Sequence, residues 1–281
     1  MTAIHTLHLD RPILDADLAY VEGRARLVGH TDTELVGQAA SVIGIGHHWG
    51  AERFGRFPDL RVISRMGIGY DNVDLDAARA AGVVVCNGPD SPTVSTAEHA
   101  MMLLLAVTKQ LPIQQARSSA GLGGPTVATS LELDGATLGL VGLGRIGVRV
   151  ARAALGLGMR VIANDPGIKQ SPVGDVELVG LDELFATSHV ISLHAPSLPA
   201  TRHMINAESI SSMRRGVYLV NCARGPLIDQ DALVAAIDSA HVAGAALDVT
   251  EPEPLPIGHP LLERSNVIIT PHIASSTAVG R

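Results

Sequence analysis

Three glycines at a fixed spacing constrain the fold more than any other feature of this sequence. The segment from Leu140 to Gly147 reads LVGLGRIG and places Gly-x-Gly-x-x-Gly directly after an apolar run. This spacing is typical of a strand that turns into a helix around a pyrophosphate. Gly142 allows the tight turn, Gly144 keeps the backbone bare where a phosphate approaches, and Gly147 lets the helix pack closely on the sheet. A single match of this kind is weak evidence, so the neighbouring elements decide its meaning.

Short β-favouring runs alternate with helical patterns along the chain, which predicts parallel sheets built from strand–helix units. In the first part, strands are predicted at residues 3–9, 41–45, 60–64 and 83–86, with helices at 15–25 and 72–81. In the second part, six strands are predicted at residues 136–141, 160–164, 189–193, 217–221, 242–247 and 266–270. Six such strands fit a doubly wound α/β sheet.

The length of 281 residues suits two domains, each large enough to bury its own core. We predict a first domain at residues 1–96 and a second at residues 97–272. Ser95 and Glu98 have capping-box spacing and predict the start of a linking helix that ends near Lys109. The cap accounts for Glu98, and the neighbouring His99 is expected to be packed or solvated. Residues 117–130, rich in Gly, Ser, Thr and Pro, predict an exposed loop.

The composition excludes several classes of protein. Apolar residues make up 46% of the chain and aromatic residues only 2%, so the cores are expected to be aliphatic. A net charge of -7 argues against nucleic acid as a partner, because phosphate backbones are bound by concentrated Lys and Arg. Cys86 and Cys222 lack metal-ligand or disulfide spacing and are interpreted as reduced, largely structural thiols. With no signal peptide and no membrane span predicted, the location predicted is cytoplasmic.

The acidic residue that should follow a dinucleotide-binding glycine motif is present. Asp165 stands roughly 20 residues beyond the glycines, at the end of the second strand of the predicted sheet. A carboxylate there accepts hydrogen bonds from the adenosine ribose and repels a 2′-phosphate, and no arginine follows to receive one. The sequence therefore predicts NAD rather than NADP as the cofactor.

Polar residues follow the later strands of the predicted sheet. Ligands of doubly wound sheets lie beyond the carboxyl ends of the strands, so these residues are expected at one edge. They are His194 and Pro196 after the third strand, Cys222, Ala223 and Arg224 after the fourth, Asp248 to Glu253 after the fifth, and His272 after the sixth. An arginine, a glutamate and a histidine therefore converge where a nicotinamide would lie.

These segments, with several others, resemble the D-isomer specific 2-hydroxyacid dehydrogenase family along most of the chain. The matching segments are Met66–Asp74 (MGIGYDNVD), Val141–Gly147, Asn221–Gly225 (NCARG), Ala246–Val249 (ALDV), Glu253–Pro254 and Thr270–Ala274 (TPHIA). The resemblance implies a Rossmann coenzyme domain at residues 97–272 and a smaller, flavodoxin-like α/β substrate domain at residues 1–96, with 273–281 as a candidate return to it. Family members continue beyond the Thr-Pro-His segment, so the given sequence is expected to be either truncated after Arg281 or unusual at its end.

The same resemblance implies roles for individual residues. Arg224, Glu253 and His272 would be catalytic, and backbone N–H groups at Ile68 and Gly69 would bind the substrate carboxylate together with Arg224 and His272. NAD would contact Gly142, Gly144, Arg145, Ile146, Gly147, Asp165, His194, Pro196, Thr201, Cys222, Ala223 and Asp248. The implied partners are a small 2-oxo or 2-hydroxy acid and a second copy of the chain in a homodimer, without metal, nucleic acid or membrane.

The reaction asks for these residue types on chemical grounds as well. Reducing a 2-oxo acid requires a hydride from a nicotinamide and a proton for the forming alkoxide, which a histidine can supply near neutral pH. Glu253 beside His272 would favour the imidazolium and fix the ring. The planar fork of Arg224 suits the substrate carboxylate and the reacting oxygen. Glu251, in the same TEPEP segment, is predicted to be a solvated loop residue.

Three interpretations of the function stay open at this point. The segment DVTEPEPLP at residues 248–256 favours a glyoxylate or hydroxypyruvate reductase, with 3-phosphoglycerate dehydrogenase as the nearest enzyme alternative. A non-catalytic NADH-sensing protein similar to corepressors is the third.

His47, His48 and Trp49 lack a third metal ligand in a recognisable spacing and are interpreted as an exposed loop, with substrate contact as the lesser alternative.

Overall fold

A computed structural model describes residues 5–10, 19–29, 36–44, 47–124 and 130–277, and these divide into two compact units. The first unit runs to Pro92 and the second begins at Thr93. Residues 273–277 group with the second unit, and residues 278–281 lie outside the described part of the chain. Among the helices in these ranges, none combines the length and the apolar character that crossing a membrane requires.

The first unit is built on a five-stranded parallel sheet with the order β2-β1-β3-β4-β5. This is the flavodoxin-like strand order, which confirms the fold predicted for this part of the chain. A cluster of mostly aromatic and aliphatic side chains, Trp49, Phe54, Phe57 and Ile63 among them, forms its core. The elements are β1 (His5–Leu9), β2 (Ala25–Val28), a 3-10 turn (Val36–Gln38), β3 (Ser41–Ile43), α1 (Ala51–Gly55), β4 (Val62–Ser64), α2 (Leu75–Ala80) and β5 (Val84–Cys86).

Three predictions for the first unit are corrected. Of the helix predicted at 15–25, residues 15–18 lie outside the described part, residues 19–24 form turns, and Ala25 begins β2, because Gly23 has a φ of +71° that no right-handed helix contains. Trp49 is fully buried rather than exposed, since its ring packs on Phe54 and Phe57 and its indole N–H donates to Asp10 at 3.3 Å. Cys86 is exposed, which does not fit the structural role predicted for its thiol.

The second unit is built on a seven-stranded parallel sheet with the order β12-β11-β10-β9-β6-β7-β8. Chain order reverses between β6 and β9, the place where doubly wound sheets bind their ligands, and the Rossmann prediction is confirmed. The strands are β6 (Thr137–Val141), β7 (Arg160–Asn164), β8 (Val176–Leu178), β9 (Val190–Leu193), β10 (Val217–Asn221), β11 (Val242–Leu247) and β12 (Val267–Ile269). The sequence predicted six strands and missed β8, because three residues at a sheet edge are too few to show a period.

Helices cover both faces of this sheet, so side chains of each strand alternate between two cores. Leu138 and Leu140 of β6 belong to one core, and Ile191 and Leu193 of β9 belong to the other. The helical elements are α3 (Thr93–Thr108), α4 (Leu111–Ser119), α5 (Arg145–Gly156), α6 (Leu181–Thr187), α7 (Ala207–Ser212) and α8 (Gln230–Asp238), with 3-10 turns at Gly225–Leu227 and Pro260–Glu263.

Two helix boundaries differ from the prediction. Helix α3 begins at Thr93, directly after Pro92, so Ser95 lies inside the helix, is buried, and is not the predicted cap. A proline fixes its own φ and cannot donate a helical hydrogen bond, which makes it a common residue at helix starts. Helix α4 extends to Ser119 and thus into the predicted loop at 117–130, of which residues 125–129 lie outside the described part. Gly121, with a φ of +72°, follows this helix.

Candidate active site

The glycine turn between β6 and α5 has the geometry that its spacing predicts. Gly142 has a φ of +97°, and a Cβ placed there would lie 2.8 Å from the backbone of His194. A Cβ on Gly147 would overlap the carbonyl oxygen of Gly142, whereas a Cβ on Gly144 would point into open space. The fold therefore requires glycine at 142 and 147 but not at 144. Gly144 is also the N-cap of α5. Because glycine has no side chain to cap the helix, the first N–H groups of α5 fit a bound pyrophosphate.

Asp165 follows β7 and holds the glycine turn in place. One carboxylate oxygen accepts a hydrogen bond from the N–H of Leu143 at 2.9 Å, and the other accepts from the N–H of Gly167 at 2.9 Å. The side chain is half-buried at the carboxyl end of the sheet, beside the turn. These bonds fix the direction of a carboxylate that the sequence assigns to the adenosine ribose.

The segment after β9 contains three of the predicted coenzyme contacts. His194 Nε2 lies 2.9 Å from Ser192 Oγ, and burial lowers the pKa of His194 to about 4, so the imidazole is neutral near pH 7. The Thr201 hydroxyl donates to the carbonyl of Pro196 at 2.7 Å and accepts from the N–H of Leu198 at 2.8 Å. Thr201 therefore closes the loop that presents Pro196, which is exposed.

The neutral state of His194 makes the stability of the protein depend on pH. Because the folded pKa, about 4, lies below the ordinary value of 6.5, the unfolded chain binds the extra proton between these values. The stabilisation of the folded state that comes from the neutral His194 imidazole is therefore complete above about pH 6.5. It is lost as the pH falls towards 4, and the loss reaches at most roughly 3 kcal/mol. Urea unfolding from pH 7 to 4.5 is expected to show a shallower fall in unfolding free energy for His194→Gln than for wild type. An equal fall in both, matching the exposed-site control His5→Gln, would contradict this assignment.

Arg224 follows β10 in a turn organised by a buried asparagine. Asn221 donates to the carbonyl of Arg224 at 2.8 Å and accepts from the N–H of Ala223 at 2.9 Å. The next residue, Gly225, approaches the backbone of Thr250 so closely that a Cβ would overlap the Thr250 carbonyl. The turn that carries Arg224 thus lies directly against the loop that leads to Glu253.

Cys222 points into the apolar core, where burial and the Asp248 charge raise the pKa of its thiol.

Asp248 is a buried carboxylate that organises the segment carrying His272. Its Oδ1 accepts from Thr270 Oγ1 at 2.6 Å and from the N–H of Ile273 at 2.9 Å, and its Oδ2 accepts from the N–H of Ala274 at 2.9 Å. His99 of α3 adds a contact of 3.3 Å between its Nε2 and the Asp248 Oδ1. These donors surround a carboxylate that the sequence assigns to the nicotinamide carboxamide. Its structural effect is to fix the backbone on both sides of His272, which has a left-handed φ of 53°.

Glu253 and His272, which are 19 residues apart in the chain, form a hydrogen bond of 2.5 Å between Oε1 and Nδ1. Burial by itself raises the pKa of Glu253, but the His272 hydrogen bond, the charge of His272, the Thr250 backbone and the charge of Arg224 together lower it below its ordinary value. The carboxylate is therefore ionised near pH 7. Both side chains remain exposed over part of their surface, at 39% for Glu253 and 48% for His272.

Glu251 is held by three side chains, so the prediction of a solvated loop residue is wrong. Its carboxylate contacts Arg202 Nη1 at 2.9 Å and His203 Nε2 at 3.0 Å, and its backbone is bound by the side-chain amide of Gln230. Sequence reasoning also missed supporting roles for Asn221 and for Thr270. Asn221 lies in the NCARG segment and Thr270 in the TPHIA segment. Each is a polar residue at the end of a predicted strand, and this is the sequence feature that indicates such a role.

In the first unit, the carbonyl groups of the predicted carboxylate-binding loop are fixed by side chains. Asn87 donates to the carbonyl of Ile68 at 2.8 Å, and Arg65 donates to that of Gly69 at 2.5 Å. Within the described residues, the N–H groups of Ile68 and Gly69 have no hydrogen-bond acceptor. The adjacent Gly67 has a φ of +128°.

A doubly wound sheet, a glycine turn open at Gly144 and an acid after β7 define a dinucleotide-binding protein of the Rossmann class. Residues 101–274 match the profile described as D-isomer specific 2-hydroxyacid dehydrogenase, NAD binding domain. The chain belongs to the D-isomer specific 2-hydroxyacid dehydrogenase family.

The chain is similar to proteins that have different names. D-3-phosphoglycerate dehydrogenase of Mycobacterium tuberculosis is 42% identical over 230 residues, which are 81% of this chain and 43% of that protein. The chain thus spans less than half the length of this curated relative. D-lactate dehydrogenase of Aquifex aeolicus, solved with NAD and lactic acid, has a TM-score of 0.89 at 32% identity, covering 98% of this chain and 90% of that one. A glyoxylate reductase from Paecilomyes thermophila has a TM-score of 0.88 at 29% identity, covering 99% and 90%.

Proposed function

We propose that the protein is an NAD-dependent D-2-hydroxyacid dehydrogenase that reduces a small 2-oxo acid, with glyoxylate and hydroxypyruvate favoured. The observation that carries this proposal is the 2.5 Å hydrogen bond between His272 Nδ1 and Glu253 Oε1, near enough to Arg224 for its charge to act on the carboxylate. Bound NADH supplies the hydride of such a reduction, and NAD accepts it in the reverse direction. In this proposal the second unit is the coenzyme domain and the first is the substrate domain.

The proton of the reaction passes through His272. Because Glu253 occupies the Nδ1 side of the ring, Nε2 is the atom that donates a proton to the forming alkoxide, and in the oxidation direction it takes the proton back. The low pKa of Glu253 keeps a negative charge beside the imidazolium, which stabilises it until the proton is transferred. Arg224 binds the substrate carboxylate and polarises the keto oxygen.

The N–H groups of Ile68 and Gly69 are proposed to bind the substrate carboxylate from the first unit. Two adjacent backbone donors form a small anion-binding concavity when their own carbonyls are directed elsewhere. The hydrogen bonds from Asn87 and Arg65 to those carbonyls support this role.

Two other functions are kept as alternatives. The 42% identity to a protein named D-3-phosphoglycerate dehydrogenase favours a phosphorylated acid as the second candidate substrate class. A non-catalytic NADH sensor would use the same glycine turn and Asp165 without turnover. The homodimer and the cytoplasmic location stay predictions from the sequence.

One set of assays tests the function and separates these alternatives. The decrease of NADH absorbance at 340 nm is followed with glyoxylate, hydroxypyruvate, pyruvate and 3-phosphohydroxypyruvate, each with NADH and with NADPH. The proposal expects the highest kcat/KM with glyoxylate or hydroxypyruvate. Preference for 3-phosphohydroxypyruvate would establish the second candidate, and NADH binding without turnover of any acid would establish the sensor.

Removing the negative charge of Asp165 is expected to relax the preference for NADH. Asp165→Asn keeps one acceptor oxygen for the glycine turn but no longer repels a 2′-phosphate. The ratio of kcat/KM with NADPH to that with NADH is expected to rise by at least about fivefold, since one removed repulsion at close range is worth about 1 kcal/mol or more. Asp175→Asn, an exposed acid elsewhere in the unit, serves as the control. An unchanged ratio would remove Asp165 from the ribose site.

A further inference from the structure

The segment Arg202–Asn206, which has no part in the chemistry above, contacts both loops that carry catalytic groups. We propose that Arg202 and His203, acting through Glu251, are positioning residues that set the location of Glu253 relative to Arg224. The inference rests on the proposed function, because it assigns a positioning task to residues that the proposed function does not place in contact with substrate or coenzyme.

The first half of the argument concerns the loop of Glu253. Glu251, two residues earlier, has all four of its polar groups bound to segments outside that loop. Its two carboxylate oxygens contact Arg202 at 2.9 Å and His203 at 3.0 Å, while its N–H and carbonyl contact the amide of Gln230. An exposed ion pair alone stabilises a protein little, but four bonds on one residue fix its backbone and hence the start of the Glu253 segment.

The second half concerns the loop of Arg224. The N–H of His203 donates to the carbonyl of Pro226 at 2.8 Å, two residues beyond Arg224, and the N–H of Ile205 donates to the carbonyl of Leu227 at 3.1 Å. His203 has a φ of 48°, an uncommon conformation for a residue with a side chain, and Asn206 holds it by donating to its carbonyl at 2.9 Å. His203 therefore binds the Arg224 loop with its backbone and the Glu253 loop with its ring.

The consequence for chemistry follows from distance. Arg224 and His272 both act on Glu253 through charge, and His272 also through a short hydrogen bond, so a displaced Glu253 loses part of what keeps it ionised. Weakening the bridge is therefore expected to slow proton transfer and to move the acid limb of the pH profile to higher pH. None of the hydrogen bonds described above joins the segment Arg202–Asn206 to the Gly142–Gly147 turn. Coenzyme binding at that turn is therefore expected to be unaffected.

Two variants test the bridge without altering the residues of the chemistry. His203→Asn keeps a residue type that tolerates a left-handed φ but is too short to reach Glu251. Glu251→Gln keeps the size of the side chain and removes its charge. Each is expected to lower kcat by about tenfold to a hundredfold, the usual cost of a small misplacement of a catalytic group. The Kd of NADH is expected to stay within about twofold, and the acid limb to shift upward by about half a pH unit.

The control is Asp238→Asn, which removes an exposed two-point ion pair with Arg264 in the same unit. It is expected to change neither kcat nor the pH profile. The double variant is expected to lose less than the product of the two single effects, because both remove the same contact. Full additivity, or a loss of kcat with an unmoved acid limb, would overturn the inference.

Hydrogen exchange separates failure of this inference from failure of the proposed function. Amides in residues 224–228 and 249–255 are expected to exchange faster in both variants than in wild type. In the control Asp238→Asn they are expected to exchange at the wild-type rate. If wild type turns over no 2-oxo acid, the proposed function fails, but faster exchange in these two segments still supports the bridge. Unchanged exchange overturns the bridge whether or not wild type is active.

Discussion

Replacing His272 by alanine is expected to lower kcat for 2-oxo acid reduction by about 10²- to 10⁴-fold, the range that a positioned general acid contributes. The reason is that Nε2 of this ring is the proposed proton donor, while Glu253 occupies Nδ1. The side chain is half exposed and belongs to no core cluster, so the melting temperature should change little. Stopped-flow measurement of the NADH decay gives the chemical step directly.

NADH binding provides the internal comparison for this variant. Quenching of NADH fluorescence is expected to give the same Kd for His272→Ala and wild type, since the glycine turn and Asp165 are untouched. His5→Ala, an exposed histidine in the first unit, is the control and should retain full activity. Turnover of His272→Ala near the wild-type rate would show that another group supplies the proton.

Adding one methyl group at Gly144 is expected to weaken NADH binding by about tenfold to a hundredfold without harming the fold. The Cβ of Gly144→Ala would meet no protein atom within 4 Å, so the free energy of unfolding should fall by no more than about 1 kcal/mol, the cost of alanine at an N-cap. The same methyl occupies the space proposed for the pyrophosphate, and an overlap of this size costs 1–3 kcal/mol. Isothermal titration with NADH measures the change in affinity, and urea unfolding measures stability.

Gly156 offers a matched control at the other end of the same helix. A Cβ there also meets no protein atom, so Gly156→Ala should leave NADH affinity unchanged and stabilise helix α5 by up to about 1 kcal/mol. Gly147→Ala should instead lower stability, because its Cβ would overlap the Gly142 carbonyl. Wild-type affinity in Gly144→Ala would show that the pyrophosphate does not lie against this residue.

The sequence predicted the second sheet and its glycine turn closely because their signals are local. Strands β7, β10 and β11 have the predicted bounds, and the positive φ at Gly142 follows from a spacing visible in the printed residues. Polar residues at strand ends are equally local, and parallel strands bring their carboxyl ends together. That is why Glu253 and His272 could be predicted as neighbours across 19 residues.

The features that the sequence did not predict depend on partners far along the chain. Nothing near Glu251 indicates that Arg202 and His203, almost fifty residues earlier, will bind its carboxylate. Trp49 looked like part of a polar loop because its neighbours are histidines, yet Asp10, 39 residues earlier, satisfies its N–H inside the core. Such pairings are decided by tertiary packing, which overrides local composition.

The contact of Gly225 with Thr250 limits how this protein can change under selection. No side chain fits at position 225 unless the backbone of Thr250 moves, so a substitution there is expected to push the Arg224 and Glu253 loops apart at a cost in stability. A new spacing without that cost would require an insertion or deletion that moves a whole loop. Substitutions that change the substrate range of this protein are therefore expected at other positions, while the spacing between the Arg224 and Glu253 loops stays constant.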